Sequence, residues 1–171
     1  MCSRYSRTVN NQIKKSLEVV SVELVEMKTP KYEYVSSTNS GDIFYFSGKT
    51  AQVNGVIPNQ GKVGGELSVD EGRDAARICA INLLSQIESD IGLQNVKKIL
   101  KLVGFVASDP NFVEQPVVVN AASELFVQVL GERGKHARSA IGVAVLPGNS
   151  PVELELILLA EKDTSEMVSE R

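Results

Sequence analysis

Apolar residues recur at helical spacing in two long stretches of the chain. The first stretch follows Ser68-Val-Asp-Glu71, a capping box in which the serine oxygen and the glutamate three residues later satisfy amides at a helix start. A helix is therefore predicted from this box to about Ile91, and a second over roughly 112–130, with Pro116 tolerated in its first turn. The buried stripes of the two helices are predicted to comprise Ala76, Ala80, Leu83, Leu84, Ile87 and Ile91, and Val118, Ala122, Leu125, Phe126 and Val129.

Patterns typical of strands precede, separate and follow these helices. Residues 43–46 predict an aromatic-rich strand, and a second strand is predicted over 50–53, before an Asn-Gly turn. The SSTNSGD cluster ahead of them is predicted to form a turn, and residues 10–20 a short amphipathic helix. Between the long helices, residues 96–107 predict a strand that is apolar on both faces.

The run HARSAIGVAVLPGNSPVELE, over 136–155, predicts two closing strands joined by a short turn. Because strand side chains alternate between faces, Glu153 and Glu155 are predicted to share one face of the second strand. Burying a charged residue in an apolar strand costs free energy unless the charge is paired, solvated or needed for function. These strands carry such charges, because Arg138 stands at the start of the first one and the two glutamates lie within the second. A functional site is therefore predicted here. The other face of the second strand is predicted to carry Val152, Leu154, Leu156 and Leu158.

The predicted order β-β-α-β-α-β-β is that of an α+β fold, with one sheet and two helices on one of its faces. The strand of Arg138 is predicted to turn its odd-numbered positions, 139 to 145, toward the helices and its small residues, Ala140, Gly142 and Ala144, away from them. A sheet with no solubilising face must be covered on both sides. Because no sequence remains for a second layer, the other face is predicted to lie at a subunit interface.

Length and composition place the chain among ordinary globular proteins, with 171 residues, 43% of them hydrophobic and 23% charged. One domain is predicted over residues 11–165, with 11–30 as a lead-in segment. The start, 1–10, is predicted to be disordered, and the end, 166–171, flexible.

Charge and cysteine content exclude several classes of function. A net charge of −3 and a pI of about 5.3 predict no general attraction to nucleic acid or to an anionic membrane. Cys2 and Cys79 cannot form a disulfide framework, and their spacing suggests no zinc site; Cys79 is predicted to be a buried small hydrophobe. With no apolar run typical of a signal peptide or a membrane span, a cytoplasmic location is expected.

A set of short motifs is spread over residues 30–161: Phe46-Ser47-Gly48, the helix opening SVDEGRDAARICAINLL, Asn120, Ala137-Arg138-Ser139, Leu146-Pro147 and Val152-Glu153-Leu154-Glu155. This set resembles the Rid (YjgF-like) family of reactive-intermediate imine deaminases, also called endoribonuclease L-PSP-like. The sequence HARSAIG and the lead-in segment resemble the corresponding sequences of a divergent subgroup of that family.

The resemblance implies a chorismate-mutase-like fold and a homotrimer with clefts between subunits. It implies hydrolysis of 2-imino acids and their enamine tautomers to 2-keto acids and ammonia, as in a 2-iminobutanoate/2-iminopropanoate deaminase. It further implies a small carboxylate metabolite as the partner, no cofactor and no metal.

The resemblance also implies roles for two charged residues. Arg138 matches the family arginine that grips the substrate carboxylate, for which a planar guanidinium is suited. The alternative is a salt bridge to Glu153 or Glu155. Glu153 matches the glutamate that positions the attacking water, and its alternative is a structural pairing with Arg138; Glu155 is assigned to structure. His136, the sole histidine, is interpreted either as a base or as a residue making a backbone or interface contact.

Four further residues are implied to bind substrate. Ser47 matches a cleft serine, and Tyr34 matches a tyrosine of the N-terminal strand, with Tyr32 as its rival. Asn120 matches a cleft asparagine, the alternative being a solvent-facing position on the helix. Ala140 stands where the family archetype has a cysteine, which removes a thiol from the cleft and bears on substrate range.

Three functions follow from these observations. The first is an imine deaminase acting at a subunit interface. The second is a protein that binds a small carboxylate metabolite in the same cleft without turnover. The third, a ribonuclease or translation inhibitor, is disfavoured by the acidic pI, the absence of tryptophan and the lack of a basic track.

Overall fold

The computed structural model describes residues 11–27 and 29–161 of the chain. The ends that were predicted to be disordered (1–10) and flexible (166–171) lie outside these residues, as does Cys2. The predicted domain limits of 11–165 therefore stay a prediction. Within the described ranges, no helix combines the length and the apolar character needed to cross a membrane.

This part of the chain forms one five-stranded sheet and three α-helices, which confirms the predicted α+β class. After the short α1, the order is the predicted β-β-α-β-α-β-β. The elements are α1 (Asn11–Val19), β1 (Ser37–Ser40), β2 (Ile43–Thr50), α2 (Val69–Asp90), β3 (Val96–Ala107), α3 (Gln115–Leu130), β4 (Ala137–Val143) and β5 (Val152–Ala160).

The helix α2 begins at the predicted capping box. The Glu71 amide donates to the Ser68 hydroxyl (3.3 Å), and the Ser68 amide donates to the Glu71 carboxylate (2.8 Å). These bonds satisfy amides that have no partner within the first turn. The predicted apolar stripes of α2 and α3 are buried, and the two helices pack on each other and on one face of the sheet.

The strands lie in the order β1-β2-β5-β3-β4. The last strand in sequence, β5, is central and runs antiparallel to both of its neighbours, β2 and β3. The strands β3 and β4 are parallel, which requires a crossover connection, and α3 supplies it. The two closing strands joined by a short turn are therefore not neighbours, because β3 lies between them.

The N-terminal strands differ from the prediction. The SSTNSGD cluster is not only a turn: its first residues form β1, which turns at Gly41 (φ +58°) into β2. The polar side chains of β1 suit an exposed sheet edge, where strand patterning is weak. The strand predicted over 43–46 continues to Thr50, with a bulge between Phe46 and Lys49, and the second strand predicted over 50–53 is wrong, because beyond Thr50 only Val53 makes an isolated bridge, to Val56.

The two faces of the sheet differ in cover. In β5, Val152, Leu154, Leu156 and Leu158 are buried under the helices, and Glu153 and Glu155 lie on the other face, as the alternation predicts. In β4 the predicted faces are wrong: Ala140 packs toward the core and Arg138 contacts α3, whereas Ile141 lies on the open face. On the same side of the sheet as Ala140, a Cβ on Gly142 would come 2.7 Å from the side-chain amide nitrogen of Gln115, at the start of α3.

The face away from the helices is called the open face below. It presents large apolar side chains, with Tyr45 and Ile141 each 44% exposed. A depression of about 130 Å³ lies on this face and is lined by Tyr45, Phe46, Lys101, Val103, Glu155, Leu156 and Ile157. A surface of this kind is typical of an interaction site.

Candidate functional site

The guanidinium of Arg138 is fastened to α3. Its Nη1 donates to the Asn120 amide oxygen (3.3 Å) and to the Ser123 hydroxyl (3.0 Å), and its Nη2 donates to the Pro116 carbonyl (3.3 Å). These acceptors lie along one side of the helix, because residues three and four apart share a helix face. The position of Arg138 at the start of the edge strand β4 brings its side chain beside this helix.

Two N–H groups of Arg138 remain for a ligand. These three bonds involve Nη1 and Nη2, and no hydrogen bond of Nε is found within residues 11–27 and 29–161, so at least two of the N–H groups, that of Nε among them, are not used. A guanidinium carries five N–H groups, and the Nε and Nη2 groups share one edge. That edge matches the two oxygens of a carboxylate, which a guanidinium binds with two parallel hydrogen bonds.

Asn120 has its amide orientation set by a charged pair. Its Nδ2 donates to the Glu124 carboxylate (2.7 Å), whose other oxygen accepts from Arg73 of α2 (3.2 Å). The Asn120 amide oxygen therefore points to Arg138. Asn120 is partly exposed on the helix, and both ends of its amide are hydrogen-bonded within the chain.

The carboxylate of Glu153 lies on the open face, against the backbone of Gly48. A Cβ on Gly48 would overlap the Glu153 carboxylate, so the glycine of the Phe46-Ser47-Gly48 motif makes room for it. Burial, and to a smaller extent the negative charge of Glu155, raise the pKa of Glu153 above its ordinary value. A carboxyl group shifted in this direction holds its proton more readily, as a group that exchanges protons with a reactant must.

Ser47 lies in the same bulge of β2. Its hydroxyl donates to the Val35 carbonyl (2.7 Å), and its amide donates to the Ser36 carbonyl (3.0 Å). These two hydrogen bonds attach the segment that contains Tyr34 to the sheet. Tyr34 itself is 54% exposed and belongs to an irregular segment, not to the N-terminal strand in which it was predicted.

Arg138 and Glu153 lie on opposite faces of the sheet. Glu153 in β5 and Ile141 in β4 are both paired with Phe105 of β3, so the two strands are separated by about 10 Å. Arg138 turns toward α3, and Glu153 turns toward the open face. Within one chain, no salt bridge joins Arg138 to Glu153 or Glu155 among the described residues, and the alternative of a salt bridge across an interface stays a prediction.

Two predicted residues remain, Ala140 and Tyr32, and one of them lies beside Arg138. Ala140 packs against the core on the Arg138 side, and Tyr32 is 73% exposed in the irregular segment next to Tyr34. The predicted residues thus form two clusters. The arginine cluster is Arg138 with Asn120, Ser123 and Ala140; the glutamate cluster is Glu153 with Ser47 and Gly48. The sequence analysis missed Ser123, although its position three residues after Asn120 puts it on the same helix face.

His136 makes the backbone contact that was one of its two interpretations. Its Nδ1 lies 2.6 Å from the Gly134 carbonyl, and its Nε2 lies 3.0 Å from the Ser123 hydroxyl. Burial, then the positive charges of Arg138 and Lys98, lower the pKa of His136, and the bond to Gly134 opposes them. The ring is therefore neutral at pH 7.

The fold and the two clusters define an α+β protein with one polar cluster on each face of a five-stranded sheet. A family model described as "YjgF/chorismate_mutase-like, putative endoribonuclease" matches residues 14–161. The chain is 38% identical to Protein TCP17 of Trypanosoma cruzi over 157 residues, which are 90% of this chain and 97% of that protein. It belongs to the YjgF/chorismate-mutase-like family.

Solved structures agree with this assignment. A protein of unknown function from Agrobacterium tumefaciens is 39% identical, with a TM-score of 0.80 over 88% of this chain and 92% of that one. A protein from Shewanella oneidensis named as a "putative endoribonuclease" is 27% identical, with a TM-score of 0.83 over 87% of this chain and 99% of that one. The predicted chorismate-mutase-like fold is thereby confirmed.

Proposed function

We propose that this protein hydrolyses reactive 2-imino acids, and their enamine tautomers, to 2-keto acids and ammonia, in a cleft between copies of the chain. The observation that carries the proposal is the state of Arg138. Its guanidinium is held by three acceptors of α3, yet it keeps two N–H groups for a carboxylate. A substrate held by its carboxylate presents the neighbouring imine carbon at a fixed place.

The need for a second copy follows from the positions of the two clusters. Arg138 and Glu153 turn to opposite faces of the sheet in one protomer, so they can act on one small molecule only if each comes from a different copy. The open face supplies an apolar surface for such an assembly, including Tyr45 and Ile141. We propose a closed homo-oligomer, a trimer, in which the arginine cluster of one copy meets the glutamate cluster of the next.

The reaction then needs one water and no further reactant. Arg138 binds the substrate carboxylate, and Glu153 accepts a proton from water as the water oxygen bonds to the imine carbon. The product of this step is a tetrahedral carbinolamine. Glu153 returns this proton to the nitrogen, which completes the neutral carbinolamine. The carbinolamine hydroxyl then gives its proton to Glu153 as the carbonyl of the keto acid forms, and Glu153 passes it to the nitrogen, which departs as ammonia when the C–N bond breaks. Ser47 and Tyr34 are proposed to line the cleft beside Glu153.

The test compares ammonia release from an imine that an amino acid oxidase generates in the assay, with catalase present. Arg138→Ala is expected to lower the acceleration over the spontaneous reaction by roughly 10–100-fold, because charge-assisted hydrogen bonds are lost. Arg138→Lys keeps the charge but not the planar fork and is expected to lose most of the effect. Lys97→Ala, which removes an exposed ion pair to Glu161, is the matched control and is expected to be silent.

Other outcomes identify other functions. If wild type does not accelerate ammonia release but binds pyruvate, and Arg138→Ala abolishes that binding, the same cleft serves a metabolite-binding protein. Endoribonuclease activity, which the family description and the Shewanella oneidensis relative carry in their names, is tested by incubating highly purified protein with RNA. Cleavage that survives Arg138→Ala would contradict the proposal.

A further inference from the structure

We propose that Ser123 and His136 are positioning residues that hold the Arg138 guanidinium in the orientation that receives a carboxylate. The inference rests on the proposed function and deepens it. The three side chains form one continuous chain of hydrogen bonds, from the Gly134 carbonyl through the imidazole and the hydroxyl to Nη1 of Arg138. Arg138 is the member of this chain that would touch substrate.

The donor and the acceptor of each hydrogen bond in this series follow from the Gly134 carbonyl, with which the series begins. A carbonyl oxygen can only accept, so Nδ1 of His136 must carry the hydrogen that it donates to Gly134 (2.6 Å). In the neutral ring Nε2 is then an acceptor, and it receives the Ser123 hydroxyl (3.0 Å). With its hydrogen committed to the ring, the Ser123 oxygen turns its lone pairs to Arg138 and accepts from Nη1 (3.0 Å).

The Gly134 carbonyl, the first group in this series of hydrogen bonds, is held in place by close packing. Gly134 ends a short 3-10 helix, Gly131–Gly134, that packs against the end of α3. A Cβ on Gly134 would overlap the backbone carbonyl of Phe126, so this position needs glycine and its carbonyl is held in place. The His136 ring also meets the Phe126 ring edge to face, with centroids 6.1 Å apart and an interplanar angle of 85°. The ring therefore has a fixed place as well as a fixed tautomer.

The charges around the ring favour its neutral form. The charged groups that face it are Arg138 at the start of β4 and Lys98 of β3, both cations, while α3 presents the uncharged Ser123 and Phe126. Protonation would place a hydrogen on Nε2, remove the acceptor of the Ser123 hydroxyl and set a second positive charge beside Arg138. The neutral ring is therefore the form in which the chain of hydrogen bonds to Arg138 is complete.

The tautomer is measured directly by NMR, because His136 is the sole histidine in the sequence. In protein prepared without a histidine tag, the nitrogen shifts at pH 7.5 are expected to show a neutral ring with its hydrogen on Nδ1. A hydrogen on Nε2, or a ring that is protonated at this pH, would overturn the inference. This measurement depends on no enzymatic activity.

The effect on Arg138 is measured as the dissociation constant for pyruvate, a small 2-keto acid. Ser123→Ala and His136→Phe are each expected to weaken binding by roughly 3–10-fold, the usual worth of one hydrogen bond. Ser123→Thr and His136→Gln, which keep a hydroxyl and an acceptor, are expected to restore most of the affinity.

A double-substitution cycle separates positioning from other roles. In an Arg138→Ala background, adding Ser123→Ala is expected to change pyruvate affinity no further, because both act through the same guanidinium. Independent losses that multiply would overturn the inference. So would a Ser123→Ala protein that binds pyruvate normally and loses only turnover, since that pattern belongs to a nucleophile.

The failure of this inference is distinguishable from failure of the proposed function. If Arg138→Ala weakens pyruvate binding while Ser123→Ala and His136→Phe do not, the inference is overturned and the function stands. If wild type does not bind pyruvate, or binds it no better than Arg138→Ala does, the function is overturned together with the inference that rests on it.

Discussion

The arginine cluster and the glutamate cluster are built into the protein in opposite ways. Arg138 is held by acceptors that all come from α3, and two of them, Asn120 and Ser123, are hydrogen-bonded in turn to Glu124 and His136. Glu153 is half-buried against Gly48, and its carboxylate has no hydrogen-bond or ion-pair partner within the described residues.

The difference shows that a single chain supplies hydrogen-bond partners for the arginine cluster but not for the carboxylate of the glutamate cluster. Hydrogen bonds within one protomer satisfy the arginine side and leave only the edge that a carboxylate would occupy. The glutamate side carries a partly desolvated charge that raises its own pKa, which costs stability unless something else contacts it. The open face, where this charge lies, is also where the apolar surface lacks cover. A second copy packed on the open face would cover this apolar surface and would also bring new contacts to the Glu153 carboxylate.

The largest effect is expected from Ile141→Glu, which places a charge on the open face opposite the helices. Ile141 is 44% exposed in the protomer, so the substitution is expected to leave the fold intact but to prevent a second copy from covering this face. Light scattering is expected to show a mass near 18.5 kDa, that of one chain, and ammonia release is expected to be lost. Unchanged oligomer mass would contradict the proposed interface.

Truncating one residue on each face compares their contributions within the protomer. Leu154→Ala removes a fully buried side chain under the helices and is expected to lower the free energy of unfolding by about 2–5 kcal/mol. Ile157→Ala on the open face is expected to lower it by about 1 kcal/mol or less. Urea unfolding in the Ile141→Glu background isolates the protomer. Equal losses would mean that the open face is covered within one chain.

Gly48→Ala tests the space that the bulge leaves for Glu153. The added methyl group would overlap the carboxylate, and we expect a loss of about 1–3 kcal/mol in the free energy of unfolding. Glu153→Ala in the same chain removes the obstacle, so the double variant is expected to recover most of that loss. Additive losses would show that the carboxylate moves aside at no cost.

The smallest effect is expected from Glu153→Gln, with Glu155→Gln as the matched control one pleat away. Because the pKa of Glu153 is raised in the folded state, the unfolded chain loses this proton first, and stability falls as the pH rises from the unfolded-state pKa through the folded-state value. Glu153→Gln is therefore expected to raise the free energy of unfolding at pH 7 by about 0.5 kcal/mol, since a half-exposed charge is screened. No difference is expected near pH 3, and urea unfolding at the two pH values checks both.

Local patterns predicted the elements whose residues carry strong signals. The capping box at Ser68 marked the start of α2, and the apolar stripes of α2 and α3 are buried as their spacing predicts. The weakly patterned N-terminal strands were predicted poorly. The polar residues of β1 resemble a turn, and the bulge in β2 breaks its alternation.

The candidate site was predicted as a set of residues but not as an arrangement. Motif resemblance singled out Arg138, Glu153, Asn120 and Ser47, and alternation put Glu153 and Glu155 on one face. The roles of these residues stay proposals. Ser123 was missed because a serine inside a helix carries no signal by itself, and the wrong face of β4 was chosen because its small residues look like the less buried side.

The sequence by itself determined the class of fold, the two long helices and the alternation that separates the glutamates of β5 from its buried leucines. These follow from periodicity and capping, which act over a few residues. Only the tertiary structure decided that β3 lies between β4 and β5, that Arg138 turns to α3, and that Arg138 and Glu153 occupy opposite faces. Strand order and the facing of an edge strand depend on which distant surfaces pack together, and no local pattern encodes that choice.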